Sequence, residues 1–472
     1  MPEPTDNSAS PTSRQTDKAR LIAGSIPRHM VTQTAPLIVG VAAIMSVGII
    51  DAYFIGQLGA DALAAVAFIF PVTTALSSLG VGVMAGISSV VSRALGKGHL
   101  DHARGLTAMG IGVAAGLGLV LAAALFIRRV PLFALMQAQE TLLPLIDAYM
   151  RPYAMFYPLQ LLMMGANGAL RGQGLARHSM AILITFAVVN WLLDPVLING
   201  AFGMAGFGIA GAAYASIGGF ASAMAMGLVL LARSRVGLWA TALRHAGVGD
   251  ALALARVTGP AAFSNSINPI GLSVLTGFLA AEGQAAVAGF GAAGRLQSFA
   301  VVPLLGLSGA IGAIVGQNWG AGCRDRVRHA AMLAAGFCVA YGTAVGLALF
   351  LARDALAQLF TDDPAVIAAL TDYIEIGVWG YGGYGLLIAS NGALNAVDHA
   401  GLALLQSLLR VLAIMVPVAW ILQSSWGADA VYTAELAANV LGGAIAAGAA
   451  YWVLVREGQG AKNSGAAAHP AS

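Results

Sequence analysis

Charged residues and cysteines are scarce in this sequence. Only 10% of its 472 residues are charged, whereas a typical soluble domain has roughly 25%. A chain of this length could not cover a water-exposed surface with so few charges, which excludes an ordinary soluble protein. The two cysteines, Cys323 in a basic loop and Cys338 in an apolar run, predict neither a disulfide nor a metal site. The net charge of only +3 excludes a basic patch that binds nucleic acid.

Apolar side chains and glycine are abundant instead. Hydrophobic residues make up 58% of the chain, the mean hydropathy is +0.79, and 60 residues are glycine. Apolar runs long enough to cross a bilayer recur along the chain, and lipid requires each to satisfy its own backbone hydrogen bonds as a helix. We therefore predict an all-α, polytopic membrane protein with 12 transmembrane helices. The predicted spans are residues 30–54, 62–90, 105–127, 146–170, 179–200, 208–232, 258–280, 286–316, 330–352, 366–394, 401–422 and 430–455.

The two ends of the chain are polar and predict disordered tails, over residues 1–25 and 457–472, without a signal peptide. Of the 24 Lys and Arg residues, 18 fall in segments on the same side of the membrane as both termini. Because basic residues concentrate on the cytoplasmic side, we expect both termini in the cytoplasm. We expect a multi-pass monomer in the plasma membrane, which is the inner membrane of a bacterial cell.

The two halves of the chain align at a fixed offset of 224 residues. Pro36 falls on Pro260, and the four residues Asn-Gly-Ala-Leu that begin at Asn167 recur at Asn391. The alignment predicts two six-helix lobes related by a parallel internal repeat. Membrane proteins built from such repeats often bind a substrate between the halves and expose it alternately to each side. The repeat therefore favours a transporter over a duplicated scaffold. The predicted lobes are residues 26–235 and 258–456, joined by a cytoplasmic linker over 236–257.

Two carboxylates within the predicted spans are the main functional candidates. Asp51 lies in the first span and Asp194 in the fifth, whereas their counterparts at the 224 offset are apolar. Ionisable groups within a membrane are energetically costly and usually functional, although an interfacial Asp51 and a purely structural Asp194 are the alternatives. Asn190 lies one helical turn before Asp194 and could share a proton or ion site with it. Pro36 is a candidate hinge, because proline disrupts the helix before it.

Further polar or adaptable side chains in the spans are candidates for a substrate cavity. Each could instead hold helices together or anchor the protein at the membrane interface. The candidates are Asn167, Tyr153, Met163, Ser264, Asn265, Asn268 and Arg295. The sequence has neither a complete phosphate-binding loop nor a helical His-Glu metal motif. We therefore expect neither an enzyme nor a cofactor.

Several motifs together resemble the multidrug and toxic compound extrusion (MATE) transporters, over nearly the whole chain outside the tails. The motifs are residues 51–59 (DAYFIGQLG), 91–98 (VSRALGKG), 167–174 (NGALRGQG), 194–195 (DP) and 316–322 (GQNWGAG). The resemblance implies a V-shaped pair of lobes and cation-driven export of organic, often cationic, drugs, with a contribution to antibiotic resistance.

The chain looks most like the branch of this family whose N-terminal lobe carries the coupling acids. The resemblance assigns cation coupling to five residues, Asp51, Asp194, Asn190, Ser216 and Tyr149. Another branch carries acids in spans 7 and 10, but span 7 here has Ser264, Asn265 and Ser266 instead, and Glu375 near the outer end of span 10 is not a clear match. The sequence therefore favours protons. Sodium binding at Asp51, Asn190 and Asp194 stays open.

The alternative hypothesis is a flippase for a lipid-linked sugar or another lipid. Such a protein needs several basic residues to hold a pyrophosphate group. Only Arg295 and Arg410 are candidates, because Arg151 lies at the outer end of the fourth span, so this hypothesis ranks second. A membrane-embedded enzyme, a receptor and a channel rank lower still.

Overall fold

The structure, a computed structural model, describes residues 19–201, 203, 205–237 and 242–466. The described part of the chain is all-helical, as predicted. Residues 1–18 and 467–472 of the two predicted tails lie outside the described residues.

The first lobe contains six long helices. They are α1 (Ile26–Gly56), α2 (Ala60–Gly96), α3 (Leu100–Leu135), α4 (Leu143–Gly172), α5 (Ala176–Ile198) and α6 (Ile209–Ala232). These helices pack around one hydrophobic core. Small residues let their backbones approach closely: Gly118 of α3 lies against Pro158 of α4, and Gly219 of α6 lies against Phe186 of α5.

The second lobe repeats this arrangement with more interruptions. A 3-10 turn (Ala242–His245) precedes it. Its helices are α7 (Val248–Ala280), α8 (Gln284–Gly320), α9 (Arg324–Leu351), α10 (Arg353–Phe360), α11 (Pro364–Gly377), α12 (Tyr381–Ala396), α13 (Ala400–Leu408), α14 (Val416–Trp426) and α15 (Ala428–Ala466). The tenth span is α11 and α12, joined by a 3-10 turn (Val378–Gly380). The eleventh is α13 and α14, joined by a π-helical segment (Leu409–Met415).

Nine helical segments of the described chain are long and apolar enough to cross a membrane by themselves. The other three of the 12 spans are α4, α7 and the pair α11–α12. They are more polar or are interrupted, because they carry side chains such as Gln160 and Asn265 and the 3-10 turn. The fold class is nevertheless the predicted one, with 12 spans in two lobes.

Several boundaries differ from the predicted ones. Residues 248–257 of the predicted linker are the first three turns of α7, and α15 continues to Ala466, past the predicted start of the C-terminal tail at 457. The predicted tenth span is split by its 3-10 turn, and α10 was not predicted. Hydropathy locates the apolar centre of a span, but a helix continues into water wherever its residues still favour helix.

The lobes contact each other at the end of the bundle where α1 begins and α2 ends, here called the terminal end. A Cβ atom on Gly96 of α2 would lie 2.1 Å from the carbonyl oxygen of Gln317 in α8. One on Gly320 would lie 2.3 Å from the carbonyl oxygen of Arg93. The Arg93 guanidinium also forms an ion pair with Asp398, at 3.5 Å. This closely packed seam joins the lobes.

The helices of the two lobes move apart towards the other end of the bundle, which we call the distal end. Gly306 of α8 packs against Ile38 of α1. Two turns further along the same face of α8, Phe299 is 60% exposed, and three turns further along the same face of α1, Ile49 is 54% exposed. The same change occurs on α7, where Thr258 is buried and Asn265, seven residues on, is exposed. Residues seven or eleven apart share a helix face. The lobes therefore border an open cleft at the distal end.

Residues 19–25, predicted as part of the tail, instead cross the seam. The Leu21 backbone N–H donates to Gln317 Oε1 at 3.0 Å, and its carbonyl oxygen accepts from Asn318 Nδ2 and Arg326 Nη2, both at 3.1 Å. The Leu21 side chain is 2% exposed and lies against Gly174 of the first lobe. This segment contacts both lobes and stabilises their closed arrangement at the terminal end.

We predict that Gly96→Ala opens the seam. Gly→Ala inside a helix normally stabilises a protein by about 0.5–1 kcal/mol, but here the new methyl group would overlap the Gln317 carbonyl group. With Cys323 and Cys338 replaced by serine, spin labels at Arg177 and His329 would report a longer inter-lobe distance by double electron–electron resonance.

Gly112→Ala is the control, because a Cβ atom on Gly112 of α3 meets no neighbour within 4 Å. The control variant should keep the distance distribution of the parent protein. An unchanged distribution in Gly96→Ala would show that the seam tolerates the methyl group.

Candidate functional site

Four helices of the first lobe bring the five predicted coupling residues together. The carboxyl group of Asp51, from α1, interacts with the carboxyl group of Asp194 and the side-chain amide of Asn190, both from α5. The Tyr149 hydroxyl group, from α4, interacts with Ser216 of α6 and faces both carboxyl groups. Asp194 and Asn190 have no exposed surface. We call these five residues the acid cluster.

The helical spacing in α5 explains why Asn190 and Asp194 lie together. Asn190 and Asp194 are four residues apart and so lie on one helix face, and Asn190 Nδ2 donates to Asp194 Oδ1 at 3.5 Å. Pro195 follows directly within the helix and has no backbone N–H to donate.

Three oxygen atoms of the acid cluster have no hydrogen-bond partner. They are Asp51 Oδ1, Asp194 Oδ2 and Asn190 Oδ1, and all three are buried. A buried acceptor without a donor costs about 1–3 kcal/mol. The two carboxyl oxygens can therefore accept a proton, and all three oxygens together are ligands of the kind that bind hard cations such as Na⁺.

A row of polar side chains continues from the acid cluster along α4. The rings of Tyr149 and Tyr153 stack with their centroids 5.8 Å apart. The Tyr153 hydroxyl group donates to Gln160 Oε1 at 2.8 Å, and Gln160 Nε2 donates to Ser77 Oγ of α2 at 3.0 Å. Tyr153 is only 5% exposed. It therefore lies inside the lobe, and not on a cavity wall as predicted.

Three of the other six predicted cavity residues, Met163, Asn167 and Ser264, are also buried within a lobe. Met163 and Asn167 have no exposed surface, and Asn167 Oδ1 accepts from Ser179 at 2.7 Å. Its counterpart in the repeat, Asn391, donates to Ser264 at 3.3 Å. The buried positions of Met163, Asn167 and Ser264 contradict the cavity prediction in this conformation. Asn167 and Ser264 hydrogen-bond between helices of one lobe, whereas Met163 packs in the hydrophobic core of the first lobe.

The remaining predicted residues have different positions. Asn265 and Arg295 are exposed. Asn268 instead accepts a hydrogen bond at its Oδ1 atom from Arg410 Nη1, at 2.8 Å. Pro36 lies inside α1, and the helix continues on both sides of it.

The sequence reasoning missed a buried carboxyl group in the second lobe. Glu435 of α15 is 1% exposed. Its side chain interacts with Gln297, Tyr373, Asn439 and Arg410. An acid within the apolar run 430–455 was the available signal, and Tyr373 lies at the 224 offset from Tyr149.

We call Glu435 and these four partners the second cluster. Arg410 is at its centre and is only 1% exposed. Its Nε and Nη2 atoms donate to Asn439 Oδ1 at 3.1 and 2.6 Å, and its guanidinium lies 4.6 Å from the Tyr384 ring centroid. It belongs to the π-helical segment, a local deviation that is frequent at functional sites. Unlike the acid cluster, the second cluster contains its own counter-charge.

Comparison with known protein families matches both halves of the chain. The MatE family model matches residues 36–196 and again residues 260–421. The two matched regions begin 224 residues apart, at Pro36 and Pro260, which agrees with the internal repeat.

Individual relatives agree with this result. The chain is 33% identical to a Shewanella oneidensis protein named FAD transporter, over 85% of this chain and 89% of that one. It is 24% identical to the multidrug resistance protein PmpM of Pseudomonas aeruginosa, over 83% of each chain. The crystal structure of the Vibrio cholerae MATE transporter VcmN in the bent form superimposes with a TM-score of 0.85, at 26% identity, over 92% of this chain and 98% of that one. The chain therefore belongs to the MATE family of multi-pass membrane transporters.

Proposed function

We propose that this protein exports small organic molecules across a bacterial inner membrane in exchange for protons, with both termini in the cytoplasm. The acid cluster is the observation that carries the proposal. Two carboxyl groups that lie side by side in a buried site cannot both ionise without strong repulsion. The pair therefore takes up and releases a proton as its access to water changes.

The position of Asp51 on α1 explains how protonation reaches the rest of the protein. Asp51 belongs to the acid cluster, whereas Ile38, on the same helix, packs against Gly306 of the second lobe. Protonation of the cluster removes repulsion between α1 and α5. A movement of α1 then changes the packing of Ile38 at the seam. Pro36, two residues from Ile38, is the proposed hinge, because it leaves one helical hydrogen bond unmade.

Protons are preferred over sodium as the coupling ion. The acid cluster offers two carboxyl groups, one amide group and two hydroxyl groups, and a sodium ion would need several of their oxygen atoms arranged around it at the same time. Both carboxyl groups can instead bind a proton without further ligands.

Two substrate classes have support. Organic cations are the first, since relatives such as PmpM are named multidrug resistance proteins. Flavin dinucleotides are the second, because the relative at 33% identity is named a FAD transporter.

We predict that Asp194→Asn abolishes proton-coupled transport. The amide preserves the shape of the side chain but cannot take up a proton. In proteoliposomes with an imposed pH gradient, the gradient-driven rate of ethidium or FAD transport should fall to that of protein-free liposomes. Glu140→Gln, at an exposed position outside the acid cluster, should keep the parent rate. A gradient-driven rate that persists in Asp194→Asn contradicts the proposed coupling.

Glu435→Gln tests which lobe couples transport to the proton. We expect this variant to keep its dependence on the pH gradient, because Glu435 lies near Arg410 and is hydrogen-bonded within its own cluster. If Glu435→Gln abolished the dependence and Asp194→Asn did not, the coupling site would lie in the second lobe.

Arg410→Met should destabilise the protein, because Asn439 Oδ1 and Asn268 Oδ1 would lose their donors. Each buried acceptor left unpaired costs about 1–3 kcal/mol. We expect a lower midpoint of thermal unfolding in detergent for Arg410→Met than for Glu435→Gln. An unchanged midpoint would show that water or another donor replaces the guanidinium.

A further inference from the structure

The helix α8 has two faces with different surroundings. One face packs inside the second lobe, where Gln297 donates to Glu435 and the carbonyl oxygen of Ala300 accepts from Tyr341 at 3.0 Å. Arg295 is two residues before Gln297, which places it about 200° around the helix. The side chain of Arg295 therefore points away from the core of its own lobe.

The other face of α8 turns towards the first lobe. Gly306 packs against Ile38, and Gly320 packs against Arg93. Arg295 precedes Gly306 by eleven residues, which is about three helical turns, so the two share this face. Arg295 is exposed whereas Gly306 is buried. Its position is therefore on the wall of the cleft, above the seam and opposite the first lobe.

Arg295 has no hydrogen-bond or ion-pair partner among the residues that the structure describes. It lies eleven residues into α8, or about 16 Å along the helix from its first residue. A cationic group at such a depth is costly and usually functional. By contrast, the guanidinium of Arg410, the second candidate arginine of the predicted spans, already interacts with Asn439, Asn268 and Tyr384.

Two other exposed residues that we place on the cleft wall are aromatic or neutral. Phe299, one turn along the same face, is 60% exposed. On α7, Thr258 packs against Gly82 of the first lobe, and Asn265, two turns further towards the distal end, is exposed. The acids of the first lobe do not reach this wall. Asp194 is fully buried, and Asp51 is two residues from the cleft-facing Ile49 and so points to the opposite side of α1.

We propose that Arg295 binds an anionic group of the transported molecule, and that the substrate is an aromatic compound with a phosphate or carboxylate group. A guanidinium group recognises such anions through charge-assisted hydrogen bonds, and Phe299 provides a ring for an aromatic group to stack on. This assignment rests on the proposed transport function. It makes Arg295 a specificity-determining residue, because a cationic drug would be repelled there.

Transport of two aromatic probes with opposite charge tests the proposal. FAD is the anionic probe and ethidium the cationic one, each measured in proteoliposomes of zwitterionic lipid under a pH gradient. Arg295→Gln should raise the KM for FAD about tenfold or more, which corresponds to about 1.4 kcal/mol. Arg295→Lys should restore most of the affinity, and Arg128→Gln, at an exposed position on α3, should not change it. The KM for ethidium should stay the same or fall in Arg295→Gln.

The outcomes separate this proposal from the transport function. If the parent protein transports ethidium but neither binds nor transports FAD, the anion assignment is overturned and the transport function stands. If it transports neither probe under a pH gradient, proton-coupled export itself fails. A KM for FAD that is equal in Arg295→Gln and the parent protein also overturns the assignment. A difference that appears only in liposomes with an anionic lipid would identify a lipid headgroup as the bound anion, and would overturn the substrate assignment.

Discussion

The proximity of two carboxyl groups inside the first lobe is the constraint on which the function depends. Asp51 and Asp194 interact with each other on different helices, and each has a buried oxygen atom without a donor. The acid cluster contains no basic side chain that could neutralise them. In the proposed mechanism, a proton enters and leaves the site as its surroundings change, and each such step alters the force between α1 and α5.

The internal repeat duplicated the fold but not this chemistry. Tyr149 and Tyr373 occupy equivalent positions and both face a buried carboxyl group. In the first lobe, the Tyr149 hydroxyl group faces two acids without a basic partner. In the second lobe, the carboxyl group of Glu435 lies near Arg410. The first lobe thus has two acids without a basic partner, which we propose exchange protons, whereas the second lobe has a carboxyl group and a guanidinium that compensate each other.

The sequence predicted the number of spans, the repeat and the members of the acid cluster. Asn190 and Asp194 could be paired from their spacing alone, whereas Asp51, Tyr149 and Ser216 joined them only through the family resemblance. Hydropathy shows how deep a residue lies in the membrane, but not the direction in which it points. For that reason Met163 and Asn167 were predicted to line a cavity although they are buried, and Glu435 was missed within an apolar run. The direction in which a side chain points is determined by contacts between helices that are distant in sequence, which a single sequence does not show.

The separation of the acid cluster from Arg295 bears on the mechanism of exchange. A cationic substrate could compete with protons for the same carboxylates if these faced the cleft. Asp194 instead has no exposed surface, and the charged group on the cleft wall is an arginine of the other lobe. On this assignment, proton and substrate bind to different lobes and do not displace each other directly. Their exchange is then coupled through the equilibrium between seam-closed and seam-open states, with each ligand favouring one state, and α1, which contributes to both the acid cluster and the seam, is the physical connection.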